Sequence, residues 1–166
     1  TFMRTYVDEV GFGSVGLYLG TYAAVAIMVR LFGSSRIDRI GLVRMLAIAG
    51  TFVGVQFLVL GVTASVAGLL AAAVLGGLGH GFLFPLITTS LVNRTRLEER
   101  GTALAIFSGL IDMVYLLGAP AVGVLIVASG YPTTFSTVAV VILAGLAGFI
   151  LWERARRRAA PVSDPV

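Results

Sequence analysis

Two ionisable side chains stand deep inside apolar runs: His80 in LGGLGHGFLFP (75–85) and Asp112 in EERGTALAIFSGLIDM (98–113). Proton uptake and release is the chemistry that suits them. Imidazole is the side chain that titrates nearest neutral pH, and a carboxylate beside it raises its pKa while burial lowers it. His80 lies 13 residues before Asn93, roughly 20 Å along a helix. Asp112 lies 12 residues after Arg100, roughly 18 Å along the next one. Antiparallel helices would bring both to a similar depth in a hydrocarbon core about 30 Å thick. The expectation is that they face one aqueous cavity and contribute to a proton-linked site. The structural alternative holds Asp112 by a nearby hydroxyl or backbone group and makes His80 an interhelical hydrogen bonder.

Ser108 and Tyr115 stand four before and three after Asp112, so the three share one stripe of a helix. Ser14, Tyr18, Thr21 and Tyr22 form a similar stripe near the start of the chain. Tyr18, Tyr22, Ser108 and Tyr115 are therefore cavity candidates alongside His80 and Asp112. Gln56 is a lone polar residue in its run and reads as a packing hydrogen bond, and Tyr131 reads as an interfacial anchor. With no cysteine, one histidine and few carboxylates, no metal site or cofactor is expected. HExxH, surface serine–histidine pairs and paired carboxylates are all lacking, so an enzyme is not expected.

The elements that must position these groups follow from composition. Of the 166 residues, 58% are hydrophobic and 12% charged, about half the charge of an ordinary soluble domain; mean hydropathy is +1.00. A spanning helix needs about 20 mostly apolar residues. Five segments qualify, at about 11–32, 45–62, 66–92, 101–128 and 133–152. None alternates like a barrel strand. The fold expected is an all-α integral membrane protein of five transmembrane helices, with residues 1–10 the end of a preceding helix and an external segment, and 153–166 a tail.

All twelve basic residues are arginine, and eleven lie in loop 33–44 with Arg30 before it, loop 93–100, and the tail. Those three regions fall on one face of a five-pass bundle. The positive-inside rule makes that face cytoplasmic, with Thr1 outside and Val166 inside a multi-pass protein of the cell (inner or plasma) membrane. No basic face interleaved with aromatics exists, which argues against nucleic acid. The opening on Thr1, with no signal-peptide pattern, reads as a piece of something longer.

The order of residues within the first basic cluster, RLFGSSRIDRIGLVR (30–44), carries more. It resembles the cytoplasmic loop signature of the major facilitator superfamily, with Arg30, Asp38, Arg39, Gly41 and Arg44 matching and Ser34 standing where the family usually has glycine. Residues 75–85, 98–113 and GAPAVGVLIVASGY (118–131) resemble the tenth and eleventh helices of such transporters, closest to the bacterial sugar-efflux and drug-efflux branches. The resemblance implies that the chain is the C-terminal part of a secondary transporter, helices eight to twelve, and a partial six-helix half of the fold. It implies proton-coupled efflux of a small organic solute, with the lipid bilayer, protons, the solute and the N-terminal half of the same transporter as partners. It also makes Arg30, Asp38, Arg39, Gly41 and Arg44 a cytoplasmic gate, in which Asp38 braces against the other half. The alternative is a non-transporting sensor or assembly subunit that keeps the facilitator fold.

Glycine and proline mark where helices bend or touch. Gly79 and Gly81 before Pro85, and Gly118 with Pro120, are hinge candidates because proline removes a backbone hydrogen bond and kinks a helix. Small-xxx-small spacings at Gly16/Gly20, Gly50/Gly54 and Gly77/Gly81 offer the other reading, close helix packing.

Overall fold

The computed structural model describes residues 2–32 and 40–159, apart from the side chains of Arg157 and Ala159. In chain order these form α1 (Phe2–Val10), α2 (Val15–Phe32), α3 (Leu42–Val62), α4 (Val66–Arg94), a 3-10 turn (Leu97–Glu99) and α5 (Arg100–Ala159). Among the described residues there is no strand. Four of the helices are long and apolar enough to cross a membrane. In hydrocarbon a helix satisfies its backbone polar groups internally, so these runs have little alternative.

The helix ends follow local chemistry. α2 starts at Val15 rather than near residue 11, because Gly11 and Gly13 adopt φ of 71° and 78°, in the region that favours glycine. The Ser14 hydroxyl then accepts from the Leu17 N–H at 3.1 Å and caps the helix. Ser65 caps α4 in the same way, accepting from the Gly68 N–H at 3.1 Å.

α5 contains the last two apolar segments in one 60-residue run, which as a straight rod would be about 90 Å long. It is not a rod. Gly130 has φ 76° and ψ 169°, and the chain turns back there. In the first arm, 100–129, Phe107 meets Phe84 of α4 at 6.4 Å between ring centroids, and Ile126 packs at the opposite end against the buried cluster that includes Tyr6 and Leu69. The second arm, 131–159, returns antiparallel to α3: Gly61 lies against Ser136, Gly54 against Leu143 and Gly50 against Leu146. The helices therefore make five passes.

α4 is the centre of the bundle. Gly76 and Gly79 face Gln56, Val53 and Ala49 of α3, while Gly77 and Gly81 face Tyr22, Val25, Ala26 and Val29 of α2. The GGLGHG stretch thus lets two helices approach one at once, which favours the packing reading of Gly79 and Gly81. Gly50 and Gly54 also pack closely, but Gly16 and Gly20 meet nothing within 4 Å. α4 remains helical through Pro85.

An aromatic cluster fastens the end away from the three arginine-rich regions. The Tyr6 hydroxyl donates to the Leu60 carbonyl at 3.0 Å, and the Tyr131 hydroxyl donates to Thr5 Oγ1 at 2.6 Å. Phe135 stands edge-on to Tyr6 at 5.1 Å. Tyr131 is buried, so it is a core residue and not the interfacial anchor its position suggests. The first arm is the opposite case: none of its described residues is fully buried.

Candidate functional site

The polar groups of α2, α3 and α4 meet in one line across the bundle. Gln56 of α3, buried to 5% exposure, donates its Nε2–H to the Tyr18 hydroxyl of α2 at 2.6 Å. Tyr18 stacks on Tyr22 one turn along, with centroids 6.5 Å apart and planes 22° apart. Tyr22 in turn tilts against His80 of α4 at 5.8 Å. His80 Nδ1 lies 3.3 Å from the Gly76 carbonyl; with the proton on Nδ1, that contact is a donor and leaves Nε2 as the acceptor.

Gly76 makes the arrangement possible twice over. A side chain there would collide with the Gln56 amide, and its carbonyl orients the imidazole. The Gln56 Oε1 atom is buried with no hydrogen-bond partner. A terminal amide presents both a donor and an acceptor, and Tyr18 satisfies only one of the two.

Tyr115 of the first arm and Arg30 at the end of α2 lie within electrostatic reach of the Tyr22 hydroxyl. Tyr115 is 71% exposed, and Asp112 and Ser108, sharing its stripe, are exposed as well. Asp112 is exposed and has no cationic partner among the described residues. Tyr18, Tyr22 and His80 are therefore brought together, while Ser108, Asp112 and Tyr115 share an exposed stripe of the first arm. Among the described residues no hydrogen bond or ion pair joins His80 to Asp112.

Gln56 is the member that sequence reasoning undervalued. Its hydrogen bond is the packing bond expected of it, but its partner is a cavity candidate, so it fixes Tyr18 and through it the aromatic line. The available signal was its isolation: a single amide in a long apolar run must find a partner. Of the gate residues, Arg30 is exposed in the last turn of α2, Gly41 precedes α3 with φ 85°, and Arg44 is exposed in the first turn of α3. Asp38 and Arg39 lie outside the described residues. Gly118 has open space around it, and Pro120 sits in the helical first arm. No group of three or more potential metal ligands occurs among the described residues.

A family model described as Major Facilitator Superfamily matches residues 2–165. An uncharacterized MFS-type transporter of Salmonella typhimurium is 27% identical over 146 residues, 88% of this chain and 38% of that protein. An uncharacterized MFS-type transporter of Pseudomonas aeruginosa strain UCBPP-PA14 is 28% identical over 158 residues, 95% of this chain and 39% of the relative. The chain thus spans less than two fifths of the length of these relatives, at 38% and 39%. No solved structure matches.

Proposed function

The chain belongs to the Major Facilitator Superfamily, and from that premise we propose that it is the C-terminal part of a secondary active transporter that exports a small organic solute in exchange for protons. Family membership makes transport, rather than catalysis, the class of activity. The observation that carries the finer reading is the line Gln56–Tyr18–Tyr22–His80 opening toward Tyr115 and Asp112. Ionisable groups are costly in hydrocarbon, at least about 2.5–3.5 kcal/mol for aspartate at a helix centre. A mid-span carboxylate and imidazole on one open side are therefore suited to a water-filled cavity.

In this mechanism His80 Nε2 and the Asp112 carboxylate exchange protons with that cavity. Tyr22, half-buried, packs against the imidazole and presents its phenol to solute, while the buried Tyr18 backs Tyr22 and is itself fixed by Gln56. The N-terminal half would supply the facing wall and the helix end against which Asp38 braces. The arginine-rich end is cytoplasmic by charge bias.

The test uses the full-length protein in proteoliposomes with an imposed pH gradient, recording solute-dependent proton flux across a panel of drugs and sugars. Flux with some solute, lowered at least tenfold by Asp112→Asn or His80→Gln, supports the reading. Flux that persists in both variants removes these residues from coupling. No flux with any solute favours the sensor or assembly role.

A further inference from the structure

At the arginine-rich end, α3, α4 and the second arm leave an apolar groove of about 250 Å³. Its walls are Leu42 and Leu46 of α3, Ile87 and Leu91 of α4, and Phe149 and Trp152 of the second arm. A groove of this kind on a membrane protein is filled by lipid tails of any type. Its mouth is more selective. Arg94 borders the groove and also an adjoining hollow of about 290 Å³ that it shares with Arg44. Arg44 borders a third hollow of about 320 Å³ together with Arg154.

These three arginines are exposed. Glu153 borders two of the three hollows and has an interaction of its own, so among the described lining residues one carboxylate stands against three guanidinium groups. Trp152 sits at the mouth, 57% exposed, beside Phe149 at 6.4 Å and under the Arg156 guanidinium at 5.6 Å. An exposed tryptophan next to arginines marks the headgroup level of a bilayer. Guanidinium groups at that depth meet lipid phosphates, and paired N–H donors suit a phosphate oxygen pair.

We infer that this end of the bundle is a binding site for one anionic phospholipid, with the phosphate held between Arg44 and Arg94 and an acyl chain in the groove between Leu46, Leu91 and Trp152. The inference rests on the chain being membrane-embedded and not on proton coupling, so either can fail without the other. Basic pockets between helices are a recognised mode of anionic headgroup binding.

Trp152 is the one tryptophan of this chain and is a built-in probe. The full-length protein, with any tryptophan outside this chain replaced by phenylalanine, is reconstituted in phosphatidylcholine with increasing phosphatidylglycerol. Either lipid carries brominated acyl chains that quench indole fluorescence on contact. Brominated phosphatidylglycerol should quench Trp152 at several-fold lower mole fraction than brominated phosphatidylcholine. R44Q or R94Q should lower that preference roughly fivefold each, and R96Q, at the same end but outside the groove, should leave it unchanged. L46F, which fills the groove without altering charge, should weaken quenching by both lipids. A wild-type preference near one overturns the inference, as does an equal loss in R96Q, which would indicate diffuse surface charge. Binding of glycerol phosphate with no preference of Trp152 quenching for brominated phosphatidylglycerol would show a headgroup site without an acyl-chain groove and overturn it as stated.

Discussion

Replacing Gly79 with alanine should separate α3 from α4. A Cβ at residue 79 would stand 2.5 Å from Val53 Cγ2, 2.8 Å from the Ala49 carbonyl oxygen and 3.0 Å from the Val53 nitrogen. A methyl group can rotate aside, but the carbonyl and amide belong to the backbone of α3 and cannot move without the helix. Overpacking of this kind typically costs about 1–3 kcal/mol. Gly145 in the second arm is the control, because nothing lies within 4 Å of its Cβ position. Both substitutions gain the same helix propensity, about 1 kcal/mol, so that gain cancels and the difference between them is the packing cost. Gly77, whose Cβ would meet the Tyr22 carbonyl at 2.7 Å, should behave like Gly79; Gly81, whose nearest backbone neighbour is Ala26 Cα at 3.3 Å, should be milder. The assay is thermal unfolding of the full-length protein in detergent, read by size-exclusion retention of the folded form. Midpoints should rank Gly145→Ala above Gly81→Ala, with Gly79→Ala and Gly77→Ala lowest. Equal midpoints for Gly79→Ala and Gly145→Ala would refute the close approach of α3. If Gly79 acts instead as a hinge, transport should fall while the midpoint stays put.

Two further substitutions probe the polar line and the chain reversal. Gln56→Leu leaves the buried Tyr18 hydroxyl without its partner and should destabilise by about 1–3 kcal/mol, whereas Gln56→Leu combined with Tyr18→Phe removes both polar groups and should lie closer to wild type; additive losses in the same unfolding assay would show that the two groups do not interact. Gly130→Ala places a side chain at φ 76° and ψ 169°, a region nearly exclusive to glycine that costs about 1–3 kcal/mol elsewhere, so it should lower folded yield well below Gly145→Ala, and an unchanged yield would contradict the reversal at Gly130.

The number of passes was legible because the apolar runs are long and the charges between them are dense. The pairs Gly50/Gly54 and Gly77/Gly81 were legible as contact faces for the same reason that Gly16/Gly20 was not: spacing shows that a face is flat, but not that anything covers it. Helix α2 begins at Val15 because two glycines adopt left-handed conformations, which hydropathy does not register. Tyr131 illustrates the converse limit. A tyrosine next to Gly130 and Pro132 has the sequence context of a membrane interface, yet its ring completes a cluster with Tyr6 and Phe135 that only the folded-back second arm assembles. The site was half visible: helical periodicity grouped Tyr18 with Tyr22 and Asp112 with Tyr115, but which stripe turns toward which neighbour is decided by where α4 lacks side chains.

That geometry leaves the stripe of Ser108, Asp112 and Tyr115 uncovered in mid-span, and hydrocarbon is a poor neighbour for it. Lipid contact would strand the aspartate at a cost of at least about 2.5–3.5 kcal/mol if charged, and the first arm has no described cation nearby to offset it. Water or protein must therefore meet this face. The second arm differs: Val140 and Val141 are 61% and 65% exposed, and its middle is apolar on every side, as suits contact with lipid tails. The chain has no cysteine, so single cysteines can report each environment. Ser108→Cys in the full-length protein should react with a membrane-impermeant maleimide in proteoliposomes, because a thiolate forms readily only where water reaches it. Val140→Cys should stay unlabelled until the membrane is dissolved. Equal protection at both positions would mean that the stripe is sealed by protein rather than wetted, and the proposed proton exchange would then be confined to the Tyr22–His80 side.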